Sequence, residues 1–268
     1  MIFMGSLKNL FYFCILVIYP VNQKMNLFSL IQYGLLIILL VYLAYYLYNV
    51  IFNKSYQPFA WRKDVGEITI SKKLKKAEKN YSDKTRFFNF WLQVERLKKD
   101  NVTGLFAELG VYQGDSAQVI HLMDPSREFH LFDTFEGFKQ KDLDSESGKA
   151  ATYTTHNFAD TSIEAVIKKL QSDKFVFHKG YFPETATSVL HKKFALVNLD
   201  ADLYNPTKAG LEFFYPKLSP GGVIIVHDNN QDWPGIMKAV EDFTKSIPVP
   251  VVPITDTDSS VMLLKPYE

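Results

Sequence analysis

Cysteine is almost missing from this 268-residue chain: the single Cys14 cannot form an intramolecular disulfide, and its apolar surroundings suit packing or lipid contact better than catalysis. That composition fits a reducing compartment. Net charge is also nearly absent, with 30 basic against 29 acidic residues and a balance of +1, so no overall field draws the chain to nucleic acid. Internal repeats and low-complexity tracts are lacking too, which excludes solenoids and disordered arrays. What remains, 47% hydrophobic and 22% charged, suffices for one sizeable core plus an appendage.

The last absence is local. From Leu27 to Phe52 the run LFSLIQYGLLIILLVYLAYYLYNVIF has no formal charge and exceeds the roughly 20 residues that cross a bilayer core. It predicts a transmembrane helix over 27–52, with Tyr42, Tyr45, Tyr46 and Tyr48 towards the headgroup layer and Lys54 closing the span. Residues 1–26 form an N-terminal extension, in which Leu10–Tyr19 is short, ends at Pro20 and resembles a signal-peptide core, and Met25 is an alternative start. Only Lys8 and Lys24 precede the span, whereas Lys54, Arg62, Lys63, Lys72, Lys73, Lys75, Lys76 and Lys79 follow it. The positive-inside bias therefore predicts a single-pass membrane protein with its C-terminal domain in the cytoplasm. The lysine cluster reads as a solvated helix face, with contact to anionic lipid as the alternative.

Residues 53–100 read as a linker and an amphipathic helical lead-in of one or two helices. Phe87, Phe88, Phe90, Trp91, Leu92, Val94 and Leu97 supply the apolar stripe, which suits packing over a sheet edge or covering a pocket. From residue 101 to 268 short apolar runs at Phe106–Val111, Phe129–Phe132, Phe175–Phe177, Ala195–Leu199 and Val223–Val226 alternate with helical stretches at Ser116–Met123, Ser162–Leu170, Thr207–Leu218 and Ile236–Ser246. The alternation predicts an α/β domain with a mostly parallel sheet covered on both faces. Val249–Ile254 and Ser260–Leu264 predict a terminal hairpin, and the polar, aperiodic residues 139–157 predict a long loop of the kind that forms lids.

Three places carry chemistry. Glu108, Gly110, Tyr112, Gly114 and Ser116 lie between the first strand and its helix, where ligands meet parallel sheets. With only two glycines and a carboxylate in front, this turn fits an ammonium group better than a pyrophosphate. Asp133, about twenty residues on, ends the second strand, where an acid suits two ribose hydroxyls or merely caps a turn. Asp200 and Asp202 follow the fourth strand, and Asp228 and Asn229 the fifth. Oxygen donors converging at one rim suit a hard cation such as magnesium, with mere capping of the following helices as the alternative.

The runs ELGVYQGDSA, HLFDTFEGF, HKGYFPET, NLDADLYNPTKAGLEFFYPKLSPGGVIIVHDN and WPGIMKAVEDF, in this order, resemble the macrocin O-methyltransferase family, which methylates sugar hydroxyls. The likeness covers roughly residues 80–265. A more distant resemblance is to catechol O-methyltransferase. The resemblance implies a class I, Rossmann-like methyltransferase fold: a mostly parallel seven-stranded sheet with a C-terminal antiparallel hairpin, here preceded by a transmembrane helix. It implies S-adenosylmethionine as donor, with Glu108 and Ser116 at its amino acid end, Gly110, Tyr112 and Gly114 shaping that pocket, and Asp133 on the ribose. Asp200, Asp228 and Asn229 resemble the metal triad, with magnesium the expected ion. The family more usually has two aspartates where this chain has Asp228-Asn229, as the catechol enzymes do. Those enzymes place a lysine base at the position of Leu203, so the base here is sought among Asp200, Asp202, His227 and His156, with Asp200 and Asp202 ranked first. The acceptor implied is a small-molecule or glycan hydroxyl, and a homo-oligomer stays open. Two rivals remain: a membrane-anchored glycosyltransferase using the D-x-D pattern of Asp200 and Asp202, and a non-catalytic tethered binding domain.

Overall fold

The computed structural model describes residues 26–52 and 57–267, which belong to two compact units, residues 1–56 and 57–268. The expectations for Leu10–Tyr19, Cys14 and Met25 lie outside the described residues. In the first unit, helix α1 spans Leu27–Phe52, matching the uncharged run, and its Leu27–Tyr48 portion is long and apolar enough to cross a membrane.

The second unit opens with three helices rather than one or two: α2 (Phe59–Gly66), α3 (Lys72–Asn80) and α4 (Lys84–Lys99). Two caps divide them. Ser71 Oγ accepts from the Leu74 amide, and a carboxylate oxygen of Asp83 accepts from the Arg86 amide. Each satisfies a donor that the first helical turn leaves free. The predicted stripe of α4 is buried at Phe87, Phe88, Phe90, Trp91, Val94 and Leu97. Trp61, Phe87 and Trp91 share one core with Phe106 and Ile225, so the boundary expected at residue 101 falls inside a single packed body.

The sheet contains β1 (Leu105–Leu109), β2 (Phe129–Asp133), β3 (Phe175–Lys179), β4 (Phe194–Leu199), β5 (Leu218–Val226), β6 (Val251–Pro253) and β7 (Val261–Leu264), in the order β3-β2-β1-β4-β5-β7-β6. The first five are parallel neighbours, and β7 runs antiparallel to both β5 and β6. This is the seven-stranded arrangement with a terminal hairpin that the resemblance implies. Successive strand residues face opposite layers. Phe106, Phe129, Leu131, Leu196, Val223 and Ile225 pack towards α4, α5 (Asp115–Met123) and α7 (Ile163–Leu170). Ala107, Leu109, Val197, Leu199, Ile224 and Val226 pack towards α8 (Tyr204–Phe214) and α9 (Pro234–Ser246). The expected long loop holds a short helix, α6 (Gln140–Leu143), and one 3₁₀ turn at Ala150–Thr152.

Candidate active site

The carboxyl ends of β1, β2, β4 and β5 lie side by side and stay bonded past their last residues. The Gly110 amide donates to the Phe132 carbonyl at 3.0 Å, the Asp200 amide to Leu109 at 2.9 Å, and the His227 amide to Leu199 at 2.9 Å. At Gly110 the backbone has φ +87°, and a Cβ there would stand 1.8 Å from the Asp200 carbonyl oxygen. Only glycine lets these strand ends pass so closely. Immediately beyond them Tyr112, Asp202 and Asp228 hold φ values of 48°, 58° and 57°. Such left-handed turns are uncommon for side-chain-bearing residues and concentrate where geometry serves a site.

A cavity of about 310 Å³ opens on this rim, lined among others by Gly110, Tyr112, Ser116, Asp133, Asp200 and Asp202. Four of the residues expected around the donor, Gly110, Tyr112, Ser116 and Asp133, are therefore together, whereas Gly114 sits at the start of α5 against Val166 and Leu170 and does not line the cavity. Glu108 lies beneath the cavity rather than in its wall: it is fully buried, its Oε1 accepts from Ser116 Oγ and from Asn198 Nδ2 at 2.8 Å, and its Oε2 has no partner. Burial pushes its carboxyl up to about 8, against the pull of those two donors. An orphaned carboxylate oxygen under the turn is the acceptor that an ammonium group would satisfy. Asp133 is already at work: Oδ2 accepts from the Val111 and Tyr112 amides at 2.7 and 2.9 Å, and Oδ1 from Phe135 at 2.6 Å. A carboxylate accepts about four hydrogen bonds, so capacity for a hydroxyl remains.

Asp200, Asp202 and Asp228 bring one carboxylate oxygen each within 4.8 Å of one another. The expected triad named Asn229 as third donor; that residue follows Asp228 and is half-buried, and Asp202 is the further carboxylate that the left-handed turn delivers. Burial, then repulsion from its neighbours, pushes Asp202 well up and Asp228 up to about 7; Asp200 is also raised by burial, with Arg86 opposing. Three such oxygens fit a hard divalent cation, whose charge would relieve that repulsion.

Two further residues come from the helical lead-in, where no local pattern marked them. Arg86 on α4 places Nη1 4.0 Å from Asp200, Nε 3.3 Å from Asp256 and Nη2 2.7 Å from Asp258. Tyr81, which ends α3, lines the cavity, and its hydroxyl is raised by burial. Of the described lead-in residues only Tyr81 reaches the cavity wall; the apolar stripe itself packs against the sheet in the core.

His227 is excluded as base by its neighbours. It is buried, with Nδ1 2.7 Å from Ser260 Oγ and Nε2 2.6 Å from Asn198 Oδ1, and burial lowers it to about 3. His156 is exposed on the loop and does not line the cavity. That loop is fastened by Glu146, which accepts from the Tyr204 amide at 2.6 Å, and by Lys149 on Asp232 at 2.9 Å. Its Tyr153 packs on Phe138, Phe158 and Trp233, and the Tyr153 hydroxyl is raised by burial and then by Asp202, Asp228 and Asp200. Sequence reading passed over Tyr153 because a tyrosine in a polar loop has no periodicity to mark it.

The macrocin O-methyltransferase (TylF) family matches residues 76–264. The chain belongs to that family. It is 30% identical over 155 residues to 8-demethyl-8-(2,3-dimethoxy-alpha-L-rhamnosyl)-tetracenomycin-C 4'-O-methyltransferase of Streptomyces olivaceus, covering 53% of this chain and 59% of that protein. It is 29% identical over 150 residues to mycinamicin III 3''-O-methyltransferase of Micromonospora griseorubida, covering 50% of this chain and 59% of that protein. The chain thus spans 59% of the length of both relatives. Among solved structures the O-methyltransferase NovP is similar in fold, with a TM-score of 0.61 and 24% identity over 68% of this chain and 80% of that one. Calicheamicin methyltransferase CalS11 shares the fold at a TM-score of 0.52 and 22% identity over 74% of this chain and 92% of its own. Membership of this family sets the glycosyltransferase reading of Asp200 and Asp202 aside.

Proposed function

We propose that the chain transfers a methyl group from S-adenosylmethionine to a sugar or glycan hydroxyl. The carrying observation is that the turn after β1 and the carboxylates after β4 open on one cavity. The names of the two relatives support the acceptor class: both are O-methyltransferases, and that of the Streptomyces protein contains a rhamnosyl group. The sulfonium methyl passes in line to the hydroxyl oxygen, the carbon–sulfur bond breaks to leave S-adenosylhomocysteine, and the hydroxyl proton goes to a carboxylate.

Gly110 and Tyr112 shape the donor cradle, and Ser116 and Glu108 receive the donor's amino acid end. Asp133 takes the ribose while splinting the turn. Asp200, Asp228 and Asn229, joined by Asp202, would hold a divalent cation, magnesium first, whose positive charge would acidify an adjacent hydroxyl. Asp202, whose left-handed turn puts it on the cavity wall beside the acceptor position, takes the proton through a carboxylate oxygen not engaged by the cation, with Asp200 as the alternative. Phe138, which lines the cavity, and Tyr153, stacked on it, supply an apolar cover for the reacting groups. Helix α1 anchors the protein in a membrane as a single pass with the catalytic unit in the cytoplasm, which directs it to a membrane-associated acceptor.

Isothermal titration with S-adenosylmethionine, with and without magnesium, followed by mass spectrometry of deoxysugar acceptors, tests the reading. Binding and a 14-Da gain on the acceptor, in the measurement implied by methyl transfer, are expected; no binding in either condition overturns it. Binding without any turnover favours the tethered, non-catalytic alternative.

A further inference from the structure

Helices α2 and α3 each bury one narrow stripe and leave the opposite one in solvent. In α2 Trp61 is buried, and Phe59 and Lys63, two residues to either side, project from the far face. Phe59 is 75% exposed. In α3 Leu74 and Glu78 are buried one turn apart, so Lys72, Lys76 and Lys79 share the outward face, and all three are exposed. Lys75 instead turns inward, where Nζ donates to the Val65 carbonyl at 3.4 Å.

The connection between the helices presents Ile68, 83% exposed and held at φ 61°. A β-branched side chain in that conformation is strained, and this one gains no burial in return. The turn is held by Thr69, whose amide and hydroxyl both donate to the Asp64 carbonyl, at 3.0 and 2.9 Å. Residues 57–80 carry seven cations, Arg62, Lys63, Lys72, Lys73, Lys75, Lys76 and Lys79, against Asp64, Glu67 and Glu78. Of those anions, Glu78 is buried and Glu67 is 3.8 Å from Lys63. The surplus is therefore concentrated here, in a chain whose whole balance is +1.

Exposed apolar side chains among lysines, beginning soon after an uncharged helix long enough to span a bilayer, have the chemistry of an interfacial contact with anionic lipid. We propose that the α2–α3 face docks on the anionic headgroup layer of the membrane, with Phe59 and Ile68 entering the interface and Lys72, Lys76 and Lys79 meeting the lipid phosphates and carboxylates. The lysine cluster is then more than a solvated face. Tyr81, the residue that ends α3, lines the cavity, so the lipid-facing helix leads directly into the reaction site. Acceptors carried on a lipid are the substrate class this arrangement serves.

The docking rests on the reading of α1 as an anchor and is independent of the methyl-transfer chemistry, whereas the acceptor class rests on the proposed methyl transfer. Its test uses the full chain in lipid nanodiscs of phosphatidylcholine alone or with phosphatidylserine, acetylated briefly and read by mass spectrometry lysine by lysine. With about 1 kcal/mol of attraction for each basic residue near an anionic surface, Lys72, Lys76 and Lys79 should react roughly fivefold more slowly in the phosphatidylserine discs. High salt should remove the difference, and Lys238 and Lys245 on α9 should react equally in both. Phe59→Ser with Ile68→Ser should weaken the protection while leaving S-adenosylmethionine binding unchanged. Equal lysine reactivity in the two discs overturns docking and leaves the anchor standing. Protection of equal size in phosphatidylcholine alone also overturns it, because anionic lipid is then not the partner. A chain that enters neither disc overturns anchor and docking together, whatever the result of the cofactor titration.

Discussion

Replacing Arg86 by methionine tests whether the acidic rim depends on a cation supplied by the lead-in helix. The guanidinium side chain is 14% exposed and faces Asp256, whose carboxylate is fully buried, at 3.3 Å, and Asp258, 45% exposed, at 2.7 Å. Its third neighbour, Asp200, is at 4.0 Å. The Asp258 pair is screened by water and contributes little despite being the shortest. Asp256 decides the magnitude, because removing one partner of a buried pair costs about 3–5 kcal/mol. Its carboxylate keeps the Ser260 amide at 2.7 Å and Ser260 Oγ at 2.5 Å, which argues for the lower end of that range. For a folded unit of this size, about 3 kcal/mol lowers Tm by roughly 6–12 °C. The sign of the pH dependence is also fixed. Without the guanidinium Asp200, Asp202 and Asp228 lose a charge that holds their folded-state pKa values down, those values rise further, and the deficit should shrink as the pH falls and they become protonated. Thermal unfolding of the full chain and of Arg86→Met at pH 8 and pH 5.5 measures both effects. A loss under about 2 °C at pH 8, or a deficit that grows on acidification, refutes the role of Arg86 as counter-charge.

Other expectations follow from single residues. The Glu108 carboxyl rises from 4.5 to about 8 on folding, so its contribution to stability is fully present below 4.5 and is lost as the pH climbs through about 8. A pH series of melting curves should therefore fall across that window in the wild-type protein and flatten in Glu108→Gln; parallel profiles would contradict the assignment. Gly110→Ala drives a methyl group into the Asp200 backbone at a left-handed position and should destabilise by more than about 3 kcal/mol in chemical denaturation, with loss of donor binding. Asn198→Ala strips a hydrogen bond from both Glu108 and His227 inside the sheet and should cost about 1–3 kcal/mol in the same assay. Asp200→Ala should reduce kcat roughly 10²–10³-fold and abolish any magnesium effect on donor affinity; unchanged turnover would remove Asp200 from the metal set.

Most of the sheet was legible because each strand is an apolar run bounded by turn residues, and each helix shows its own period. The added strand residues at Leu218–Gly222 were not, since Pro220, Gly221 and Gly222 read locally as a turn. The strand-end acids and the glycine turn were legible for a different reason: their chemistry is carried by residue type at a fixed place in the chain. What could not be read is contact across long separations. Arg86 meets Asp256 and Asp258 some 170 residues away, and nothing around it differs from a solvated helix start. His227 shows the converse case. Its place within reach of the pocket makes it a lower-ranked candidate base, and only packing reveals that Asn198 and Ser260 occupy both of its nitrogens.

The close passage of Gly110 against Asp200 has a consequence for how acceptors could vary. The two chains meet through main-chain atoms, the Asp200 amide on the Leu109 carbonyl and the Asp200 carbonyl against a bare Cα. Donor cradle and acidic rim are therefore spaced by peptide geometry, a ruler that side-chain substitution cannot lengthen. In-line transfer tolerates errors of only about 0.5 Å, so this wall of the cavity is the fixed jaw. On the proposed reading, accommodation of a larger or smaller acceptor would fall to the side chains that line the same cavity from the segment between Phe138 and Phe158, which the Gly110–Asp200 contact does not fix.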